Sequence, residues 1–481
     1  MNHFHLTKEQ MFLLTATAMT VAGLGVSSPS AQAGIAAIWN RARSKFKRND
    51  QTQSGITLGP LWISDEARCR HTHLVGATGT GKTCLLEQVI YQDIARGFGA
   101  VIIDPKGDRD FYLRIRRYCE KIGRASDLQL LSASYPKESV RWNPCRLGSA
   151  SELQSKWFQS GVYSEPFYAK ACENALLRAF NALIGELPHG FTPSDLTSMI
   201  GRFSDNEKSK DLAGLKYEIS NLTHGEWGAI LCANQSTETK KEVSILDIIR
   251  KQEILFVDLP TEARAVQSTR LGKLLLQEIM LISGLRKIMP SLRGPNPYSI
   301  YIDEFDAFAS EAFVTLLNKG RSSGFMIHMA HQTLSDLDRV SQTFKGQILG
   351  NCSVRFIFRQ DLPDDAETWA RFLGTTETVK KTFQTKDGTN TGLSSNREVQ
   401  EFIVSPDQIK SLRVGEFVFS EKLGGTQKVL SLPYPIQAPV QSKILQQRGE
   451  TQIAPKPSNA SDYKKILNMM SENVTKKESK T

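Results

Sequence analysis

Residues 76–83 read Gly76-Ala77-Thr78-Gly79-Thr80-Gly81-Lys82-Thr83, a complete G-x-x-x-x-G-K-[ST] pattern. Three glycines let the backbone curl until successive N–H groups point at one anion. Lys82 can reach the β- and γ-phosphates of a nucleotide, and the Thr83 hydroxyl can hold the Mg²⁺ that bridges them. The flanks agree. His73-Leu74-Val75 ends a short apolar strand, and Cys84 to Tyr91 has helical spacing, which sets a positive dipole end beneath the anion. A glycine-rich turn with an incidental lysine is the bland alternative. A strand before and a helix after are what a phosphate loop requires and a surface turn does not.

Working outward, further apolar runs read as buried parallel strands: Ala100–Asp104, Ile254–Asp258, Ser299–Asp303, Phe325–Gln332 and Val354–Arg359. Strands alternating with helices predict an α/β domain with a doubly wound, mostly parallel sheet, whose ligands bind at the carboxyl ends of the strands. Asp104, Asp258 and Asp303 each end a strand, but Asp303 alone is followed by a second carboxylate. That pair predicts Asp303 as the Mg²⁺ partner and Glu304 as the group that orients and deprotonates the attacking water. Gln332 lies on the next expected strand, where a neutral amide can contact a γ-phosphate; an ordinary surface amide is the alternative. One more cation is expected at a phosphate-cleaving site, and ring-shaped ATPases take it from a neighbouring subunit. Arg359, Arg355 and Arg321 are the candidates. Arg355 and Arg359 lie on a strand expected late in the sheet order, away from their own nucleotide.

The chain has 481 residues, a net charge of +10 and 40% hydrophobic residues, which fits two or three ordinary globular domains. The basic balance permits a polyanionic partner without requiring one. Seven scattered cysteines form no C-x-x-C pair, which excludes a zinc ribbon or a dithiol redox motif and suits a reducing compartment.

Met11 to Val26 is 16 residues without a charge, and Arg41, Arg43, Lys45, Lys47 and Arg48 follow. A spanning helix wants about 20 apolar residues, so this is a short candidate anchor, with its basic flank on the cytoplasmic side. A signal peptide cleaved at Ala31-Gln32-Ala33 and a non-membrane helix are the rival readings. Exporting the domain would separate it from ATP, which counts against the first rival.

The motifs in their order resemble the coupling-protein ATPases of type IV secretion and conjugation. His71 to Gly79 resembles their approach to the phosphate loop, Ile103 to Asp108 their second-strand signature, and Ile302 to Phe305 their magnesium and water-activating motif. Gly320 to Gly324 followed by Ala330 to Leu337 is similar to their Arg-Gly segment and Gln-bearing strand. Asn351-Cys352 with Phe372-Leu373-Gly374, and Leu412 to Val418, are similar to later landmarks. The likeness runs from about residue 55 to 432.

It implies a RecA-like P-loop NTPase with an inserted all-α domain and an N-terminal membrane segment. It further implies ATP and Mg²⁺ as cofactors and assembly as a hexamer at the bacterial inner membrane with the ATPase domain in the cytoplasm. The substrate handed to the secretion channel would be single-stranded DNA with its relaxase, or protein. The family commonly carries two membrane helices, and one apolar stretch is found here.

The resulting domain plan is 1–50 anchor and basic segment, 51–145 and 246–433 the two parts of the P-loop domain, 146–245 the all-α insertion, and 434–481 a flexible tail. In the insertion, Phe167, Ala171, Ala175, Leu176, Ala179 and Phe180 recur at helical spacing, and Thr192-Pro193-Ser194-Asp195 is a helix-start signal. The segment separates the second and third expected strands. A helical spacer with no recognition role is the alternative for it. For the whole chain, a cytosolic DNA translocase or helicase, a protein-only secretion motor, and a regulatory nucleotide-binding module stand as rivals to the DNA-pumping reading.

Overall fold

A computed structural model describes residues 54–163, 165–207, 212–231, 241–386, 389–422 and 425–431. The candidate anchor at 1–50 and the candidate tail at 434–481 lie outside the described residues.

Nine strands form the main sheet. In chain order they are β1 Thr72–Val75, β2 Ala100–Asp104, β3 Leu128–Ser132, β4 Ile254–Asp258, β5 Tyr298–Ile302, β6 Phe325–His331, β7 Val354–Ile357, β8 Glu416–Glu421 and β9 Gly425–Ser431. Their order across the sheet is β9-β8-β7-β1-β6-β5-β2-β4-β3. The pairings from β7 to β3 are all parallel, whereas β8 and β9 add antiparallel at the β7 edge. The strands from β1 to β7 that matter here are buried nearly throughout, which explains their near-continuous apolar runs.

Helices of ten residues or more are α1 Lys82–Ala95, α2 Arg109–Lys121, α3 Ala150–Ser160, α4 Pro166–Glu186, α5 Pro193–Glu207, α6 Ala213–His224, α7 Thr261–Ile288, α8 Glu311–Gly320, α9 Gln342–Asn351 and α10 Pro363–Leu373. The period of two along each strand divides the core into two layers. Leu74, Ile102, Leu130, Phe256, Tyr301 and Phe356 pack with α1 and α2. Val75, Val101, Ile103, Leu255, Val257, Ile300 and Ile302 share the other layer with α7 and the helices of the insertion.

Two sequence expectations change, and one strand pairing is new. Leu128–Ser132 is a strand, so the insertion follows the third strand rather than the second. Its apolar run is short and broken by Gln129, which hid it. The strand carrying Arg355 is not remote, because β7 pairs directly with β1, the strand that delivers the phosphate loop. Finally, Thr375–Lys386 and Thr389–Phe402 form a long antiparallel hairpin that polar, non-alternating sequence did not announce.

Within 146–245 the described residues are mostly helical. The buried stripe of α4 is Cys172, Ala175, Leu176, Ala179, Phe180 and Leu183, while Phe167 at its start is exposed. The helix-start signal is real: Asp195 accepts from both the N–H and the hydroxyl of Thr192, at 2.7 and 2.8 Å.

Candidate active site

The phosphate loop leaves β1 and enters α1 with Gly81 at φ 110°, a left-handed turn that favours glycine. Gly76 is required for a different reason. A Cβ there would lie 2.5 Å from the Phe358 Cβ. The loop is fixed from three sides by backbone bonds. Gly76 N–H donates to His331 O at 3.3 Å, Ala77 N–H to Arg359 O at 2.9 Å, and Gly415 N–H donates to Thr80 O at 2.8 Å. Thr80 in turn donates its hydroxyl to Ala77 O at 2.7 Å. The ends of β6 and β7 and the turn before β8 therefore all hold the loop. Of these, the roles of the Arg359 carbonyl and of Gly415 were not visible in the sequence, since backbone contacts leave no side-chain pattern.

Lys82 is buried, and its ammonium donates to Gly76 O at 2.6 Å and Ala77 O at 3.0 Å. Burial holds its pKa below the usual lysine value, with the Asp303 carboxylate pulling the other way. The next residue, Thr83, donates its hydroxyl to Asp303 Oδ2 at 2.8 Å. The two predicted metal-site residues, 220 positions apart, thus meet where the first turn of α1 faces the end of β5. A third residue joins them. Lys106 Nζ lies 2.8 Å from Asp303 Oδ2, 3.2 Å from Thr83 Oγ1 and 3.6 Å from Glu304 Oε1. One hydroxyl and two carboxylates converge on a single cation, the hard oxygen chemistry that Mg²⁺ takes. The residues present fit that ion. Lys106 was legible as part of a motif but not as a site residue.

Glu304 stands at φ 40°, ψ 53°, left-handed for a residue with a Cβ. Its N–H donates to Asp303 Oδ1 at 3.0 Å, so the peptide that is turned aside also orients the metal-site carboxylate. Holding a long side chain in this region costs roughly 1–3 kcal/mol, and such positions cluster at functional sites. Gln332 follows β6 and accepts from the Thr78 hydroxyl at 2.9 Å. The amide is therefore tied to the middle of the phosphate loop.

Asp104, buried at the end of β2, accepts from Lys106 N–H at 3.1 Å and Asp108 N–H at 2.8 Å. Burial pushes its pKa up to about 7, aided by Asp303 and Asp258 and opposed by those two N–H groups. Beneath the loop, His331 Nδ1 lies 2.8 Å from Thr333 O, so the proton on that nitrogen makes Nε2 the acceptor for His73 Nε2–H at 2.6 Å. Burial lowers the pKa of His331 to about 4 and holds His73 well below the usual histidine range. Both rings are neutral spacers.

The three arginines separate. Arg355 is 4% exposed, donates to Leu349 O at 2.8 Å and lies over the Phe372 ring. It is held inside its own subunit, which removes the geometry expected of a cation offered to a neighbour. Arg359, on the loop beside its own phosphate loop, pairs with Asp361 at 3.0 Å. Arg321 is exposed just before β6 starts, at the opposite end of the sheet from the phosphate loop.

Residues 55–183 match the family described as the type IV secretion-system coupling protein DNA-binding domain. Residues 297–414 match that described as the TraM recognition site of TraD and TraG. Among curated proteins the chain is similar to the type 4 coupling protein DotL of Legionella pneumophila, with 22% identity over 445 residues, 76% of this chain and 55% of DotL. The chain thus spans about half the length of that relative. Among solved structures it is similar to the bacterial conjugative coupling protein TrwBdeltaN70 in an unbound form, with TM-score 0.61, 18% identity, and coverage of 80% of this chain and 89% of that chain. TrwB in complex with ADP and Mg²⁺ superposes with TM-score 0.60 at the same identity and coverage. VirB4 of Thermoanaerobacter pseudethanolicus follows with TM-score 0.51, 13% identity, and coverage of 76% and 91%. At these identities the structural likeness concerns the fold.

Proposed function

We propose the following role for this chain, which belongs to the type IV coupling-protein family: it binds ATP with Mg²⁺, hydrolyses it, and uses the energy to pass single-stranded DNA with its relaxase, or a protein substrate, to a secretion channel. The observation that carries the chemical part is the convergence of Thr83, Asp303 and Glu304 on the Lys106 ammonium. Thr83 and Asp303 would hold Mg²⁺, which neutralises phosphate charge when bound. Lys82 supplies a second positive charge from the loop. Glu304, flanking Asp303 on a strained turn, is the proton acceptor for the attacking water. Gln332 is placed to sense the phosphate end through Thr78.

Support for the DNA part comes from the family description matched by residues 55–183 and from the basic balance of the chain. Hexameric assembly and a membrane anchor at 1–50 belong to the same proposal. Among the described residues no helix is long and apolar enough to cross a membrane.

The test is an ATPase assay on the purified full chain with and without single-stranded DNA, run beside membrane fractionation. Turnover that rises with DNA and vanishes in Lys82→Ala, from a protein recovered with membranes, is the expected result. DNA stimulation of a protein found wholly in the soluble fraction would favour a cytosolic translocase. Turnover indifferent to DNA, with no salt-sensitive DNA binding, would favour a protein-only motor.

A further inference from the structure

We propose that Lys106 is a tethered competitor for the divalent-cation position, so that metal binds there only together with nucleotide phosphates. The inference rests on the nucleotide reading above and adds a residue to it.

The turn that presents Lys106 is fixed. Asp104 accepts both the Lys106 and Asp108 N–H groups. Pro105 O accepts from Thr261 N–H at 2.8 Å, and Asp104 O from Leu259 N–H at 2.9 Å, which fastens the turn to the chain leaving β4. Gly107, between them, has φ 70°, and a Cβ there would meet Pro260 at 3.0 Å. What remains free to move is the four-carbon stem of Lys106, a flexible carrier of a compact point charge.

That charge lies on both metal-site oxygens at once, at 2.8 Å from Asp303 Oδ2 and 3.2 Å from Thr83 Oγ1. Its side chain is 38% exposed, so it has an open way out. A free divalent ion must displace an ammonium whose short tether keeps it at an effective concentration of about millimolar or more. It must also take from that ammonium its nearest anion, Asp303, and leave it the more distant Glu304. A metal arriving with nucleotide brings phosphate oxygens, which give Lys106 a new partner. The displacement is therefore unfavourable for the ion alone and favourable for the metal–nucleotide complex. The device favours loading metal and nucleotide as one unit.

The experiment measures Mn²⁺ binding to the full chain from the loss of the free-ion electron paramagnetic resonance signal, first without nucleotide and then with a non-hydrolysable ATP analogue. Wild type and Lys106→Arg should bind Mn²⁺ weakly alone and tightly with the analogue. Lys106→Met should bind Mn²⁺ alone about tenfold or more tighter than wild type, and adding Asp303→Asn to it should abolish the gain. Wild type that binds Mn²⁺ alone as tightly as Lys106→Met, while both still bind the analogue, overturns the role of Lys106 and leaves the nucleotide reading standing. Failure of wild type to bind the analogue with Mn²⁺ overturns both.

Discussion

At the scale of single residues, Glu304 carries two opposed demands. Its left-handed backbone costs stability, and under the proposed mechanism its side chain serves as the proton acceptor. Glu304→Gln keeps the backbone and removes the basicity. Nucleotide binding should persist while turnover falls by about 10²–10⁴, read as single-turnover hydrolysis against equilibrium binding of a fluorescent nucleotide. Glu304→Gly removes the strain as well. Relief of about 1–2 kcal/mol at this φ outweighs or matches the roughly 0.5–1 kcal/mol of chain entropy that glycine adds. The melting temperature of Glu304→Gly should equal or exceed that of wild type although hydrolysis is lost. A clear drop in melting temperature would show that the turn is held by Glu304 contacts rather than against its preference.

At the scale of elements, the back of α1 is joined to the sheet by a buried polar network. Asp93 is fully buried and binds Arg68 at 2.5 Å, Arg96 at 2.6 Å and the Ser299 hydroxyl at 2.7 Å, with the Tyr301 hydroxyl on the same carboxylate. Arg68 also lies 3.1 Å from His328 Nε2, so α1, the turn before β1, β5 and β6 share one cluster. Burial opposes the Asp93 charge, and Arg68 and Arg96 overcome it and hold the carboxylate far below its usual range. Removing one partner of such a cluster strands the others. Asp93→Ala should cost about 3–5 kcal/mol, measured by denaturant unfolding. Because Asp93 lies at the far end of α1 from Lys82, the variant that remains folded should bind nucleotide nearly as wild type does. A change in stability below about 1 kcal/mol would place Asp93 among ordinary salt bridges.

For the whole molecule, four of the eight histidines, His71, His73, His328 and His331, are buried and neutral. Burial lowers each of them, His71 and His331 to about 4 from 6.5. Between those values the unfolded chain binds more protons than the folded one. The stability they allow is therefore complete above about pH 6.5 and is lost as pH falls toward 4. Asp104, raised to about 7, acts in the opposite sense over the same range, and burial also raises Glu253, Asp306 and Asp365, which act with it. The contribution of His71 is isolated by comparison: between about pH 6.5 and 4.5, His71→Gln should lower the rise of unfolding free energy with pH by about 1.4 kcal/mol per pH unit relative to wild type, the value of one proton. An identical pH dependence in His71→Gln and wild type would contradict this.

Assembly is tested at the same scale. Arg321 is exposed at the end of the sheet away from its own phosphate loop, so any service to a phosphate is to another subunit's. An arginine supplied in trans is worth roughly 10³–10⁵ in rate. Arg321→Ala subunits should be inactive alone and recover turnover when mixed with Lys82→Ala subunits in confirmed rings. Arg359→Ala, beside its own loop, should show no such recovery.

The phosphate loop, the strand-end carboxylates and the alternation of strands and helices were legible in the sequence. Local backbone demands and burial write themselves into residue type: glycine where the chain turns left-handed, unbroken apolar runs where a strand is covered on both sides. Residues 76–83 and the apolar run that ends at Asp303 are of this kind, and the structure brings them together. The sheet order, the burial of Arg355, the strand at Leu128–Ser132 and the position of Lys106 were decided by tertiary structure. Each depends on which distant segment lies alongside, and a one-dimensional pattern does not record that. Arg355 and Arg359 read alike as cations on one strand. Only packing sends the first into its own core and sets the second beside the loop that it holds by its carbonyl, because the pleat and the neighbouring strand, not the side chain's charge, determine where each one points.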